Sequence, residues 1–189
     1  MSHALLWFAN RGTGVVLVVL LTLSIVLGVL ATSRLSPRIW PRMLSQGLHR
    51  NISMLAVTFL AAHVVTAVVD SFVDIRWWHT VVPFTGSYRQ PWLGIAALSM
   101  DLFLAVAVTS ILRHRMSHRP WRAVHARAYA GWGLGLVHGM HGSDAGTVWG
   151  QAVNYGCIAA VTLALLGRLG LHMSARALHA PVPLRSGTP

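Results

Sequence analysis

Apolar residues in this chain fall into five long runs, at about 13–32, 50–70, 92–112, 123–141 and 148–168. At about 1.5 Å of rise per residue, runs of this length approach or exceed the hydrocarbon thickness of a bilayer, about 30 Å. None alternates with period two as a half-buried strand does. The pattern predicts an all-α integral membrane bundle of five transmembrane helices within residues 1–171, the fourth run being the least hydrophobic. From residue 172 to 189 the chain turns to Ala, Pro, Ser and Gly with isolated charges, which predicts a disordered cytoplasmic tail. The run from Thr13 to Thr32 is too long for a cleavable signal peptide and is followed by arginines, so it reads as the first span.

Composition agrees with a lipid environment and narrows the partners. The chain is 54% hydrophobic and 10% charged, too apolar for an ordinary soluble domain. Its formal charge of +11 comes from arginines concentrated in the links between runs, which argues for membrane orientation and against nucleic-acid binding. Arg34, Arg38, Arg42 and Arg50 sit in one link, Arg113, Arg115, Arg119, Arg122 and Arg127 in another, and Arg168, Arg176 and Arg185 follow the last run. The 70–91 link balances Arg76 and Arg89 with Asp70 and Asp74, and the 139–147 link has Asp144 and no arginine. The positive-inside rule then places the N-terminus outside and the C-terminus in the cytoplasm. Trp77, Trp78, Tyr88 and Trp92 mark 71–92 as an interfacial segment. The single cysteine, Cys157, permits no intrachain disulfide.

Chemistry enters with the histidines. His49 and His63 are fourteen residues apart on the second run, which puts them roughly 21 Å apart along a helix and about 40° apart around it. His125 and His138 are thirteen apart on the fourth. With the two runs parallel, His49 is level with His125 and His63 with His138. Two such pairs suit two bis-imidazole iron sites, as in haem b, stacked through the membrane. Polar residues inside spans are costly and usually functional, which favours ligation over hydrogen bonding for the quartet. Thirteen residues turn the second imidazole about 140° from the first, so the fourth run needs a kink, expected near Gly131-Trp132-Gly133. His141, one turn beyond His138, competes as the outer ligand. Arg50 and Arg127 near the inner pair, and Arg11 near the outer, are candidate partners for haem propionates, each weighed against snorkelling to lipid phosphate. Asp101 is the most costly residue within a span. The remaining histidines, His3, His79, His114, His118, His172 and His179, read as solvated, and Trp7, Trp40, Trp121 and Trp149 as membrane anchors.

These features resemble the ferric reductase-like transmembrane domain family. Its relatives include the membrane parts of NADPH oxidases and ferric reductases, and the haem-binding membrane subunit of the bacterial periplasmic methionine sulfoxide reductase system. The resemblance rests on the paired spacings of fourteen and thirteen, and on Arg11-Gly12-Thr13-Gly14, Gly47-Leu48-His49-Arg50-Asn51 and Trp121-Arg122-Ala123-Val124-His125, and it covers roughly residues 5–170. It implies a diheme b-type cytochrome that moves electrons across the cytoplasmic membrane. The donor is a separate flavoprotein or quinol, and the acceptor is ferric ion or an external redox partner. Longer relatives carry a further N-terminal helix and a flavin and nicotinamide domain, neither of which is recognisable in these 189 residues. The alternatives are a histidine-lined transition-metal transporter and a haem-free structural subunit; apart from Asp101 the spans offer a transporter no acidic ligand.

Overall fold

The computed structural model describes residues 2–32, 42–71, 73–142 and 147–178, and these are helical with short connections and no strand. In chain order they form α1 (Ser2–Thr32), α2 (Arg42–Val69), the short α3 (Trp77–Val81), α4 (Gln90–Ile111), a 3-10 turn (Arg113–Arg115), α5 (His118–Ala126), α6 (Ala128–His141) and α7 (Val148–Leu178). The expected tail begins as helix, since α7 runs on to Leu178. Arg34, Arg38, Trp40, Asp144, His179 and Arg185 lie outside the described residues.

Four helices are long and apolar enough to cross a membrane: Ala4–Thr32, Met43–Val69, Gln90–Ile111 and Val148–Ser174. The expected fourth run is instead divided at Arg127 into α5 and α6. The 14 residues of α6 span about 21 Å, less than the hydrocarbon core alone requires. The surface is inverted relative to a water-soluble bundle. Leu5, Phe8, Met54, Ile111, Leu163 and Leu166 are exposed, while Thr22, Ser24, Ser45, Ser99 and Asn154 are buried. Such an arrangement suits an apolar solvent outside and hydrogen-bonded polar groups within.

The helix α1 is the axis of the bundle. Its residues Leu17, Thr22, Ser24, Ile25 and Val29 are buried, and it packs on α2, α6 and α7. A second unit forms where α4 runs antiparallel to α6: the Ser99 hydroxyl donates to the Gly131 carbonyl at 2.7 Å, and Gly131 lets the Phe103 ring approach closely. Trp132 joins the two units by donating its indole N–H to the Thr22 hydroxyl at 2.9 Å. Among the described residues α2 packs on α1, and no comparable packing joins it to α4 or α6. A gap therefore separates the two histidine-bearing segments.

The expected kink also moves. Helix α6 is continuous through Gly131-Trp132-Gly133, and the break lies at Arg127, whose N–H bonds back to the Val124 carbonyl at 3.0 Å. This i to i+3 closure advances about 120° per residue in place of 100°, the direction that reduces the offset between His125 and His138.

The close α4–α6 contact makes a test. A Cβ on Gly131 would lie 3.2 Å from the Phe103 ring, whereas one on Gly156 of α7 would meet nothing within 4 Å. Gly131→Leu is expected to destabilise by about 1–3 kcal/mol through overpacking. Gly156→Ala should be neutral or stabilise by up to about 1 kcal/mol. Thermal unfolding of both variants in one detergent checks the contrast.

Candidate functional site

Three of the four histidines are held by a carbonyl of a neighbouring helix, and α1 does this twice. His63 Nδ1 donates to the Asn10 carbonyl at 3.0 Å, and His49 Nδ1 donates to the Ser24 carbonyl at 2.8 Å. Both carbonyls are also within reach of their own helix's ladder, so the imidazole needs room beside residue i+4. Those residues are Gly14 and Gly28: a Cβ on Gly14 would lie 2.9 Å from the His63 ring, and one on Gly28 would lie 3.5 Å from the His49 ring. The two contacts are thus fourteen residues apart on each of two antiparallel helices. Fourteen is two heptads, the spacing at which supercoiled helices present the same face again.

Further bonds secure these anchors. The Asn10 side-chain amide donates to the His63 carbonyl at 2.9 Å and to the Thr66 hydroxyl at 3.2 Å. The Ser24 hydroxyl lies 3.2 Å from His49 Nδ1 and 2.6 Å from the Ser53 hydroxyl. On the other side of the gap, His138 Nδ1 donates to the Trp92 carbonyl of α4 at 3.0 Å.

A carbonyl can only accept, so these three bonds assign the proton of His49, His63 and His138 to Nδ1 and leave Nε2 as the basic nitrogen. That is the arrangement of a metal-ligating histidine held from behind by a backbone acceptor. An N–H without an acceptor in the interior costs roughly 1–3 kcal/mol, which these carbonyls avoid.

His125 differs. Its Nδ1 is buried and has no hydrogen-bond partner, and its ring lies against Trp121, with centroids 5.0 Å apart and planes at 23°. Its other neighbour is His49, with ring centroids 6.0 Å apart and planes at 71°. Two metal–nitrogen bonds of about 2.0 Å and about 1.1 Å from each nitrogen to its ring centre give about 6.2 Å, so the separation accommodates one metal between the rings. Edge-to-face contact covers the same range, about 4.5–7 Å. What singles the pair out is the carbonyl behind His49, which turns the basic Nε2 to the opposite side of that ring.

The outer pair shares a cavity of about 260 Å³, counting only the space open to the centres of water molecules. The space open to a ligand is larger by the shell of about 1.4 Å along the wall, which brings it into the range of small-molecule sites, roughly 300–1000 Å³. Both His63 and His138 line it, with Leu17, Leu21 and Leu60 among its apolar wall residues. His141 does not: it is exposed, donates Nδ1 to the Val137 carbonyl of its own helix at 3.0 Å, and stacks on Trp92 with centroids 4.4 Å apart. Since His49 pairs with His125 while His63 and His138 share the cavity, α2 and the α5–α6 segment run in the same direction.

Among the cations, Arg11 lines the outer cavity with its guanidinium 4.1 Å from the centre of the Trp7 ring. Arg50 and Arg127, expected near the inner pair, are exposed. The structure brings up two arginines that the sequence pattern did not single out. Arg89 lines the outer cavity and donates to the Gly142 carbonyl, and Arg113 lies over the Trp121 ring, 4.4 Å from its centre. Arg89 carried a weak signal, since Pro91 follows it and it caps α4 with φ of 39°. Asp70 is buried on the cavity wall, and Asp101 lies half-buried on α4, away from that wall.

Two expectations need correction. His79 is buried rather than solvated, and its Nδ1 accepts the Arg76 N–H at 3.2 Å at the start of α3. Trp121 is more than an interfacial anchor, because its indole nitrogen is buried beside His125. His114, His118 and His172 are exposed as expected. Among the described residues no three His, Cys, Asp or Glu side chains converge on a metal position; a porphyrin iron asks for two protein donors per site.

The chain belongs to a family described as Domain of unknown function (DUF8596), whose profile matches residues 5–144. That stretch contains all four histidines of the two pairs and the α1 residues behind them. No curated protein and no solved structure matches the chain.

The hydrogen bonds fix tautomers that can be read without any ligand. Nitrogen-15 NMR of histidine-labelled, ligand-free protein, at a pH where the imidazoles are neutral, should give the Nδ1–H form for His49, His63 and His138, and the Nε2–H form for His79. The reverse form at His63 or His49 would show that the α1 carbonyls do not hold these rings.

Proposed function

We propose that this chain is a diheme b-type membrane cytochrome, akin to the ferric reductase-like transmembrane domain, that passes electrons across the bacterial cytoplasmic membrane. Its donor is a separate flavoprotein or quinol, and its acceptor is ferric ion or a redox protein outside. The observation that carries this reading is the hydrogen bonding behind the imidazoles: three of four donate Nδ1–H to a backbone carbonyl and so keep Nε2 for a metal. The same bond at His141 is made within its own helix at an exposed position, whereas these three are made between helices, at two levels on facing segments, which ligation explains.

In this reading His49 and His125 hold an inner haem b, and His63 and His138 hold an outer one. Haem supplies the one-electron chemistry, while the protein contributes ligation, orientation and a low-dielectric surround. The gap between α2 and the α4–α6 unit gives flat macrocycles a place, and the small residues Gly14 and Gly28 let α1 support the ligands from behind. Arg11 and Arg89 on the outer cavity are suited to pair with propionates, as guanidinium groups do with carboxylates. Leucines on the cavity wall lower the local dielectric beside the outer histidines. No side chain is required as nucleophile or general acid.

In this reading α5 and α6 together supply a fifth crossing beside the four long helices, and the arginine distribution puts the N-terminus outside and the C-terminus in the cytoplasm. The inner pair then lies towards the arginine-rich α4–α5 link and the outer pair towards α3, whose Trp77 and Trp78 are exposed as interfacial residues are.

Detergent-purified protein, expressed with haem supplied, should show a reduced-minus-oxidised b-type spectrum and two haems per chain. His49→Ala and His63→Ala should each remove about half the haem, and the double variant all of it. Protein that stays colourless overturns the reading, and unchanged haem content in the single variants overturns the ligand assignment. Gly14→Val, whose Cβ would press on the His63 ring at 2.9 Å, should reproduce the loss caused by His63→Ala. Gly12→Val, which meets nothing within 4 Å, should retain full haem content.

A further inference from the structure

The inner end of the molecule has hydrogen-bond donors without acceptors. Trp121 Nε1 and His125 Nδ1 are both buried and both without a hydrogen-bond partner among the described residues. They belong to one stack, in which the Trp121 ring lies 5.0 Å from that of His125 and the Arg113 guanidinium lies 4.4 Å from the centre of the same indole. An indole N–H can only donate, and a buried donor without an acceptor costs more than a hydrogen bond gains. A cation beside an unsatisfied indole N–H makes the position selective for an anionic oxygen.

Among the described residues no carboxylate bonds to either nitrogen. The chain contains four acidic residues, of which Asp70 lines the outer cavity, Asp74 pairs with Arg76 at 3.2 Å, and Asp101 lies on α4, while Asp144 is outside the described residues; none occurs from 102 to 143. No described residue supplies an acceptor, and a bound molecule can provide one. We infer that Trp121 and Arg113 form a carboxylate-binding subsite beside the inner histidine pair, the indole N–H donating to one carboxylate oxygen and the guanidinium balancing its charge.

The inference rests on the reading above, in which the nearest carboxylate is a propionate of the inner haem. The Trp121 ring lies 5.0 Å from that of His125, beside the place that reading gives to the inner haem. Trp121 and Arg113 then take the role that the sequence pattern offered to Arg50 and Arg127, both of which are exposed. A carboxylate from an acidic partner protein is the other source of the same chemistry.

The test uses the purified holoprotein. Trp121→Phe keeps the stack and removes the donor, and Arg113→Gln removes the charge at an exposed position where folding is not at risk. Both variants should keep two haems per chain and the b-type spectrum. In each, the propionate-bending band of the inner haem should shift in low-frequency resonance Raman spectra. The inner midpoint potential should fall, because the negative charge near the iron is less well compensated. The expected shift is a threefold to tenfold change in the oxidised-to-reduced ratio at fixed potential, about 30–60 mV for one electron. The outer haem, identified as the one retained by His49→Ala, should not change.

If both variants keep haem, band and midpoint as in the parent, the propionate assignment is overturned while the cytochrome reading stands. The same result, together with a change in the rate of reduction by an added acidic donor protein, would give the subsite to a partner's carboxylate and overturn the propionate assignment. Parent protein without haem overturns both.

Discussion

The structure depends on what it takes to keep an imidazole in the interior of a helical bundle. A buried donor left without an acceptor is penalised at a level comparable to a whole hydrogen bond. The chain answers by turning a helix's own carbonyls to a second use. Asn10 and Ser24 of α1 and Trp92 of α4 each accept an Nδ1–H from a facing segment. Because helical carbonyls are already engaged along the axis, the added donor must come from the side, and the sequence provides for this with Gly14 and Gly28. Tautomer, ring direction and helix spacing follow from that one arrangement.

Much of this was legible in the sequence, and the reasons are physical. Long apolar runs report helices in lipid because nothing else satisfies the backbone there; α1, α2, α4 and α7 lie where the runs predict. The fourteen-residue spacing of His49 and His63 is a property of one regular helix and transfers directly to three dimensions. The thirteen-residue spacing of His125 and His138 could not, because it depends on where the segment breaks. Glycines suggested Gly131-Trp132-Gly133, but Gly131 and Trp132 serve the contacts with Phe103 and Thr22, and the break falls at Arg127.

The site was less legible where it depends on partners distant in the chain. Nothing local marks Asn10 or Ser24 as acceptors, since it is their backbone that acts, and backbone carries no residue code. Trp121 looked like any tryptophan near the end of a span; the unpartnered state of its nitrogen is a fact of packing. Arg113, Arg50 and Arg127 are equivalent in a count of charges, and only the fold brings Arg113 over the indole. The match of the family to residues 5–144 covers α1 through the end of α6, so the elements that build both pairs belong together in that family while α7 lies wholly beyond it.

The double contact between α1 and α2 makes the pair a ruler. Both marks on one helix are set against both marks on the other, so the distance between the inner and outer levels is written into two segments at once. Adding or deleting one residue between the marks of either helix would rotate one contact by about 100° and leave the other aligned. The two helices can therefore change length between these points only in concert, which makes the interval from Gly14 to Gly28 and that from His49 to His63 a matched pair of fixed-length segments.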